Sequence, residues 1–89
     1  MVYIQTILAG RTVSHSVVTS FDSRLDFWAY ADEVLACHSA NPRRSHTIAA
    51  LCDLLADNGP GTGQRWHRRV SRRDAAHLIR QGATNRTWL

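Results

Sequence analysis

The chain has 89 residues, of which 44% are hydrophobic and 20% charged, with a formal net charge of +4 at pH 7. This length and composition favour one small folded domain and exclude an intrinsically disordered chain. No apolar run approaches the roughly 20 residues of a transmembrane helix, and the first residues lack the pattern of a signal peptide. We therefore expect a single domain over residues 1–89, located in the cytoplasm and without a membrane partner.

All eleven basic side chains are arginine, and they are distributed unevenly along the chain. Residues 1–59 contain four arginines and six acidic residues, whereas residues 60–89 contain seven arginines and one acidic residue, Asp74. The guanidinium group is planar and always charged, and it binds phosphate or carboxylate through two parallel hydrogen bonds. A GC-rich coding bias explains arginine in place of lysine but not the clustering. The C-terminal arginines are expected to meet an anionic partner, or to pair with acidic faces elsewhere in the chain.

The first half of the chain predicts a β-hairpin followed by a helix. Alternating apolar residues predict strands over residues 2–8 and 12–19, joined by a Gly-containing turn at residues 9–11. Ser23 followed three residues later by Asp26 is a capping-box pattern, which predicts the start of a helix. Apolar spacing then predicts a core-facing stripe of Phe27, Ala31, Val34, Leu35 and His38.

A second helix is predicted to begin at Asn41 and Pro42, because proline is tolerated at the first helical position. Its apolar stripe comprises Ile48, Leu51, Cys52 and Leu55. The helix is expected to end in the Asn-Gly-Pro-Gly run of residues 58–61, since glycine supplies a left-handed cap and proline prevents continuation. Residues 59–63 form a candidate hinge between an acidic part, with the hairpin and two helices, and an arginine-rich C-terminal part.

The C-terminal part predicts a strand, a helix and a strand. The first strand covers residues 64–70, Ser71 caps the helix together with Asp74, and Gly82 ends it. The residues expected to face inward are Ala75, Leu78 and Ile79. The last strand, over residues 83–89, is expected to pair with the strand before the helix. The predicted fold class is α+β in the order ββααβαβ, with a small, mainly antiparallel sheet packed on helices that cover one face.

The start of the third helix collects basic residues where they are least favourable. The first turn of a helix carries about half a positive charge, so arginine there is disfavoured unless an anion is bound. Two tryptophans flank this segment and offer flat surfaces for base stacking or a protein hot spot, or for packing within the sheet. The predicted partner-binding residues are Arg65, Trp66, Arg68, Arg69, Arg72, Arg73, His77, Arg80 and Arg86.

Residues 71–83 contain Ser-Arg, an acidic residue, Ala, Leu-Ile and Gly in sequence. This stretch resembles the second helix of the alpha-L RNA-binding motif of ribosomal proteins and pseudouridine synthases. The resemblance covers thirteen residues and implies that the basic helix binds RNA. The leading helix of that motif is replaced here by a Trp-His-Arg-Arg segment, and the strand with an Asn-Gly turn that follows it in the family is absent.

The thiol and imidazole groups provide one candidate metal set, formed by Cys37, His38, His46 and Cys52. Two cysteines and two histidines are chemically sufficient for structural zinc. Neighbouring residues on a helix, such as Cys37 and His38, point about 100° apart, and Cys52 falls on an apolar stripe. The prediction is therefore two free thiols, no metal and no cofactor.

The sequence contains no recognisable catalytic triad, phosphate-binding loop or paired-carboxylate motif. The leading hypothesis is a non-enzymatic module that docks its C-terminal arginine surface on a nucleic acid, a nucleoprotein or an acidic protein complex, with no small-molecule substrate. One alternative is a protein–protein inhibitor of the phage or mobile-element type, such as an anti-CRISPR protein. Another is a small basic ribonuclease of the toxin type, with His67 or His77 as acid and base and Arg68, Arg69 or Arg73 on the phosphate.

Overall fold

The structure is a computed structural model, and it describes residues 1–9, 14–37, 41–58 and 65–88. The elements in chain order are β1 (Val2–Ala9), β2 (Ser14–Phe21), α1 (Arg24–Ala36), α2 (Ile48–Asn58), β3 (Arg65–Val70), α3 (Arg72–Arg80) and β4 (Thr84–Thr87). This order confirms the predicted ββααβαβ arrangement and the α+β class. None of these three helices has the length and apolar content needed to cross a bilayer. Residues 10 and 11 of the predicted turn at 9–11, His38 and the candidate hinge lie outside the described residues.

The four strands form one sheet in the order β3-β1-β2-β4. Strand β1 pairs antiparallel with both β2 and β3, and β4 pairs parallel with β2. The sheet is mainly antiparallel, as predicted, but the predicted pairing of the last strand with β3 is wrong. Helix α3 packs on β1 and β2 and carries the chain across the sheet to its opposite edge. A strand–helix–strand connection of this kind joins strands that run in the same direction, and here β3 and β4 form the two opposite edges of the sheet.

Both faces of the sheet carry apolar side chains. The register directs Val2, Ile4 and Phe21 to the face covered by α1 and α2. The opposite face carries Val18 and Val70, which pack with α3. The prediction that the helices cover one face is therefore wrong, because β2 and β3 each place a buried valine on the side away from α1 and α2.

Helix α1 begins as the capping pattern predicts. The Oγ atom of Ser23 accepts a hydrogen bond from the backbone N–H of Asp26 at 3.3 Å, which satisfies one of the free amide groups of the first turn. Phe27, Ala31 and Leu35 are buried in the core between α1, α2 and the sheet. In this core the ring centroids of Phe21 and Phe27 lie 5.1 Å apart in an edge-to-face arrangement.

Helix α2 begins at Ile48, six residues after the predicted start at Pro42. Arg24 donates hydrogen bonds to the carbonyl oxygens of Arg44 and His46. These carbonyl oxygens therefore accept from a side chain of α1 instead of from the backbone N–H groups of a helical turn. The hydroxyl oxygen of Thr47 accepts a hydrogen bond from the backbone N–H of Ala50 at 3.1 Å, which is the contact expected of a capping residue.

The apolar stripe of α2 has the predicted buried members. Leu51, Cys52 and Leu55 are each at most 3% exposed, and Ile48 is half-buried beside them. In α3, by contrast, Leu78 and Ile79 are only half-buried, and Ala75 alone is fully buried.

Candidate functional site

The entry into α3 is fixed by one capping residue. The Oγ atom of Ser71 accepts a hydrogen bond from the backbone N–H of Asp74 at 3.1 Å, and its carbonyl oxygen accepts one from Ala75 at 2.8 Å. With Ala75 buried against the sheet, Arg72 and Arg73 lie exposed in the first turn of the helix. The sequence predicted this placement from the Ser-Arg-Arg-Asp pattern.

The two ends of α3 differ electrostatically. Arg72 and Arg73 lie beside the positive end of the helix dipole, which disfavours them by roughly 0.3–1 kcal/mol each unless an anion is present. His77 and Arg80 lie in the last turn, where the negative end of the dipole favours a positive charge. Arg73, His77 and Arg80 are spaced four and three residues apart and are all exposed, so they share an outward surface as predicted.

The arginines of this region have no acidic partner among the residues that the structure describes. No described carboxylate lies within 4.0 Å of the guanidinium groups of Arg68, Arg69, Arg72, Arg73, Arg80 and Arg86. Asp26, one of the acids of α1, instead accepts a hydrogen bond from the Ser23 hydroxyl at 3.2 Å. Within residues 1–9, 14–37, 41–58 and 65–88, no ion pair therefore supports the alternative in which these arginines neutralise the acidic faces of α1 and α2.

An open cleft of about 730 Å³ lies where β3 passes into α3. Its lining residues are Met1, Tyr3, Arg69, Val70, Ser71 and Arg72. Two arginines, the capping serine and a tyrosine are therefore among the residues that line one concavity at the positive end of a helix. Such an arrangement suits an anionic group.

A second part of the site lies on β3, on the sheet face that α3 covers in part. Trp66 is 51% exposed and pairs across the sheet with Ile7. Arg68 lies two residues further along the same face, opposite Gln5. The Nε atom of Arg68 donates a hydrogen bond to the Oε1 atom of Gln5 at 2.6 Å, and the Nε2 atom of Gln5 donates one to the hydroxyl of Ser16 at 2.9 Å.

Gln5 is the site residue that sequence reasoning missed. It is 5% exposed and is the buried polar residue of the described core. The available signal was a lone amide in a largely apolar strand. A buried amide requires hydrogen-bond partners, and here one of them is a site arginine.

Arg86 is separated from the other site residues. The register aligns Arg69, Ile4, Thr19 and Arg86 in one row across the four strands, so the two arginines lie three strand spacings apart, about 14 Å. Arg86 lines a smaller pocket of about 90 Å³ on the face opposite α3. The pairing of β4 with β2 places it at the edge of the sheet opposite β3. The backbone of Arg65 lies in β3, but its side chain is outside the described part of the chain.

The two tryptophans of the C-terminal region have different environments. Trp88 packs in the aromatic cluster, with its ring centroid 5.8 Å from that of Phe21 and 6.4 Å from that of Tyr30. Trp66 is exposed on the edge strand. Only Trp66 is therefore available for stacking with a partner.

The two histidines of the ribonuclease hypothesis lie on opposite sides of the sheet. His67 is half-buried on the α1/α2 face, with its Nδ1 atom 3.0 Å from the Oγ1 atom of Thr6. His77 is exposed on α3. His67 and His77 therefore do not form a paired acid and base of the kind that such a reaction would use.

The two cysteines are free and differ in burial. Cys37 is exposed at the end of α1, whereas Cys52 lies in the core. Burial, and to a smaller extent the charge of Asp53, raises the pKa of the Cys52 thiol to about 11. A thiol in this state is a core side chain and a poor nucleophile or metal ligand. Among the described residues no group of three or more metal-binding side chains is present.

No protein-family model matches the chain, and no curated protein or solved structure is significantly similar to it. The resemblance to the alpha-L RNA-binding motif therefore depends on residues 71–83 alone. In the structure this stretch is α3 and the turn after it, and the element before it is a strand.

Proposed function

We propose that this protein is a non-enzymatic binding module that docks on the phosphate groups of a nucleic acid or nucleoprotein. The surface involved, called the arginine surface below, consists of Trp66, Arg68, Arg72, Arg73, His77 and Arg80 on the α3 side of the sheet. Arg69 lies at a strand position that faces the α1/α2 side and joins this surface only at the cleft between β3 and α3. The observation that carries the proposal is the exposed pair Arg72 and Arg73, placed in the first turn of α3 with no described carboxylate within 4.0 Å.

Bound phosphate would change the balance of charge at this end of α3. Without an anion, Arg72 and Arg73 oppose the helix dipole. With one, the free amide groups of the first turn can donate to its oxygens, and each charge-assisted hydrogen bond from an arginine contributes about 1.5–3 kcal/mol. The cleft beside Arg69 and Arg72 provides the room for that group. Arg72 and Arg73 therefore favour the phosphate-bound state, whereas they are unfavourable in the unbound helix.

Salt dependence of binding tests this proposal. A protein that neutralises phosphates releases counterions, so the logarithm of the affinity falls linearly with the logarithm of salt concentration. If four or five arginines contact phosphate, the expected slope is about −3 to −4. Fluorescence anisotropy with labelled RNA and DNA of mixed sequence, titrated at several salt concentrations, measures it.

Single substitutions assign the binding to the arginine surface. Arg72→Gln and Arg73→Gln should each weaken binding by about tenfold and make the salt slope less steep by about one. Arg43→Gln is the matched control, because Arg43 is also exposed but lies in the loop before α2. Equal losses in all three variants, or an affinity that does not vary with salt, would contradict the proposal.

The exposed indole favours a second candidate, a protein–protein inhibitor. Trp66 lies on β3, an edge strand of the described sheet, and large exposed aromatic residues are typical anchors of protein interfaces. For that function, Trp66→Ala should abolish binding to a protein partner while changes in salt have little effect.

A cytoplasmic location is part of both candidates, since the two free thiols suit a reducing compartment.

A further inference from the structure

We propose that the nucleic acid is single-stranded, and that Trp66 and Arg68 form a subsite that stacks one base and holds the adjoining phosphate. This inference rests on the proposed function and specifies which nucleic acid the arginine surface takes. Phosphate contacts from α3 alone do not distinguish a duplex from a single strand. The side chains on β3 add contacts that only an unpaired base can make.

The first of these contacts is the open surface of Trp66. The indole is 51% exposed, so about half of it is in contact with the protein and half is free. Its cross-strand neighbour Ile7 is half-buried on the same face. An aromatic ring placed in this way on a sheet accepts a base by stacking, and it tolerates any base because each has a flat π surface.

The second contact is a guanidinium group that is already oriented. The bond from Arg68 Nε to Gln5 Oε1 uses one of the five N–H groups of the guanidinium. The four N–H groups of the two terminal nitrogens remain for a ligand. Gln5 is itself held by Ser16 and is 5% exposed, so little ordering of Arg68 is needed when a phosphate binds.

The two side chains are correctly spaced for neighbouring parts of one nucleotide strand. Trp66 and Arg68 are two residues apart on one face, which corresponds to about 7 Å along β3. The same strand continues to the cleft lined by Arg69 and Arg72. A single strand following β3 would therefore meet a stacking ring, a fixed guanidinium and then the positive end of α3. In a duplex the bases are stacked on one another and do not present a face to Trp66.

The experiment compares single strands with duplexes of the same length and sequence. Labelled single-stranded RNA and DNA of about twelve nucleotides, within the size range of such sites, and the corresponding duplexes are titrated with the wild-type protein and with Trp66→Ala. We expect tighter binding of the single strands, at least about tenfold weakened by Trp66→Ala. Duplex binding should change less than about twofold.

A second variant keeps the experiment informative whatever Trp66→Ala does to folding. Trp66→Phe keeps an aromatic ring and should retain most of the single-strand affinity, while the quenching of tryptophan emission on binding is lost. Arg43→Gln again serves as the control for overall charge. Single-stranded RNA and single-stranded DNA are compared in the same way, and tighter binding of either one supports the inference.

Two results overturn the inference, and they are distinguishable from failure of the proposed function. If duplexes bind as tightly as single strands, or if wild type and Trp66→Phe show the same quenching, the single-strand subsite is wrong while phosphate binding stands. If no nucleic acid binds in a salt-dependent way, the proposed function itself is wrong. Salt-insensitive binding of a protein partner that needs Trp66 would then favour the inhibitor candidate.

Discussion

The two faces of the sheet are covered in different ways. On one face α1 and α2 bury large side chains, among them Phe27, Leu35, Leu51 and Leu55, each at most 1% exposed. On the other face α3 buries only Ala75 fully and directs charged residues to solvent. The charges are divided along the chain, because residues 1–59, which include α1 and α2, carry a net charge of −2 and residues 60–89, which include α3, one of +6. Two arginines of the second part, Arg69 and Arg86, nevertheless lie at strand positions that face the α1/α2 side.

Under the proposed function, this difference assigns stability and binding to different layers. Burying a large aliphatic or aromatic side chain contributes about 1.5–3 kcal/mol, whereas one methylene-sized group contributes about 0.8 kcal/mol. The α1/α2 layer therefore supplies most of the apolar stabilisation. Helix α3 is held by its cap and a few partly buried contacts, and its outer surface can carry charges that a partner, and not the fold, requires.

The largest expected effect comes from the same substitution made in each layer. Leu51→Ala should lower the free energy of unfolding by about 2–5 kcal/mol, because it leaves a cavity in the core. Leu78→Ala should cost less than about 2 kcal/mol, because Leu78 is only half-buried under α3. Urea denaturation of both variants measures the difference. Equal losses would show that α3 contributes as much apolar stabilisation as α2.

The core under α1 and α2 contains a titratable group. The pKa of Cys52 is raised from 9.0 to about 11, so the protonated thiol is favoured in the folded state. Stability from this source is complete below about pH 9 and falls as the pH rises towards 11, by at most about 3 kcal/mol. Urea denaturation at several pH values should show this fall in wild type and in Cys37→Ala. The fall should be smaller in Cys52→Ala, and identical pH profiles in all three proteins would contradict the assignment.

The cap of α3 provides a smaller effect that sharpens the comparison. Ser71→Ala removes the acceptor for the backbone N–H of Asp74 and should cost about 1 kcal/mol, within a range of roughly 0.5–2 kcal/mol. Because α3 has few other contacts, the Ser71→Ala variant should show a larger increase in backbone hydrogen exchange across α3 than across α1. In Ser23→Ala, which removes the equivalent bond in α1, exchange in the core turns of α1 should change little. An equal increase in both helices would show that their packing is equivalent.

Local patterns predicted most of the elements, whereas long-range pairing required the structure. The caps at Ser23 and Ser71 were predicted correctly because each depends on residues three positions apart. The start of α2 was predicted too early at Pro42, and in the segment before Ile48 the carbonyl oxygens of Arg44 and His46 accept hydrogen bonds from the side chain of Arg24. That side chain lies about twenty residues away in sequence, beyond what helix start signals contain.

The candidate site was predictable to a similar extent. The first turn of α3 and the exposed face of Arg73, His77 and Arg80 follow from helical spacing. Arg86 lies apart from them, because β4 pairs with β2 at the edge of the sheet opposite β3. The role of Gln5 beside Arg68 was not predictable, since cross-strand register is not written in a local pattern.

The most direct test of the division between stability and binding is to measure both properties on Arg72→Gln/Arg73→Gln. The account predicts an unfolding free energy that is unchanged or raised by a few tenths to about 1 kcal/mol, because two unfavourable charges leave the first turn of α3. It predicts at the same time a loss of at least about tenfold in affinity for nucleic acid. A strong decrease in stability would contradict the account, because it would show that the two arginines are internal partners of the fold.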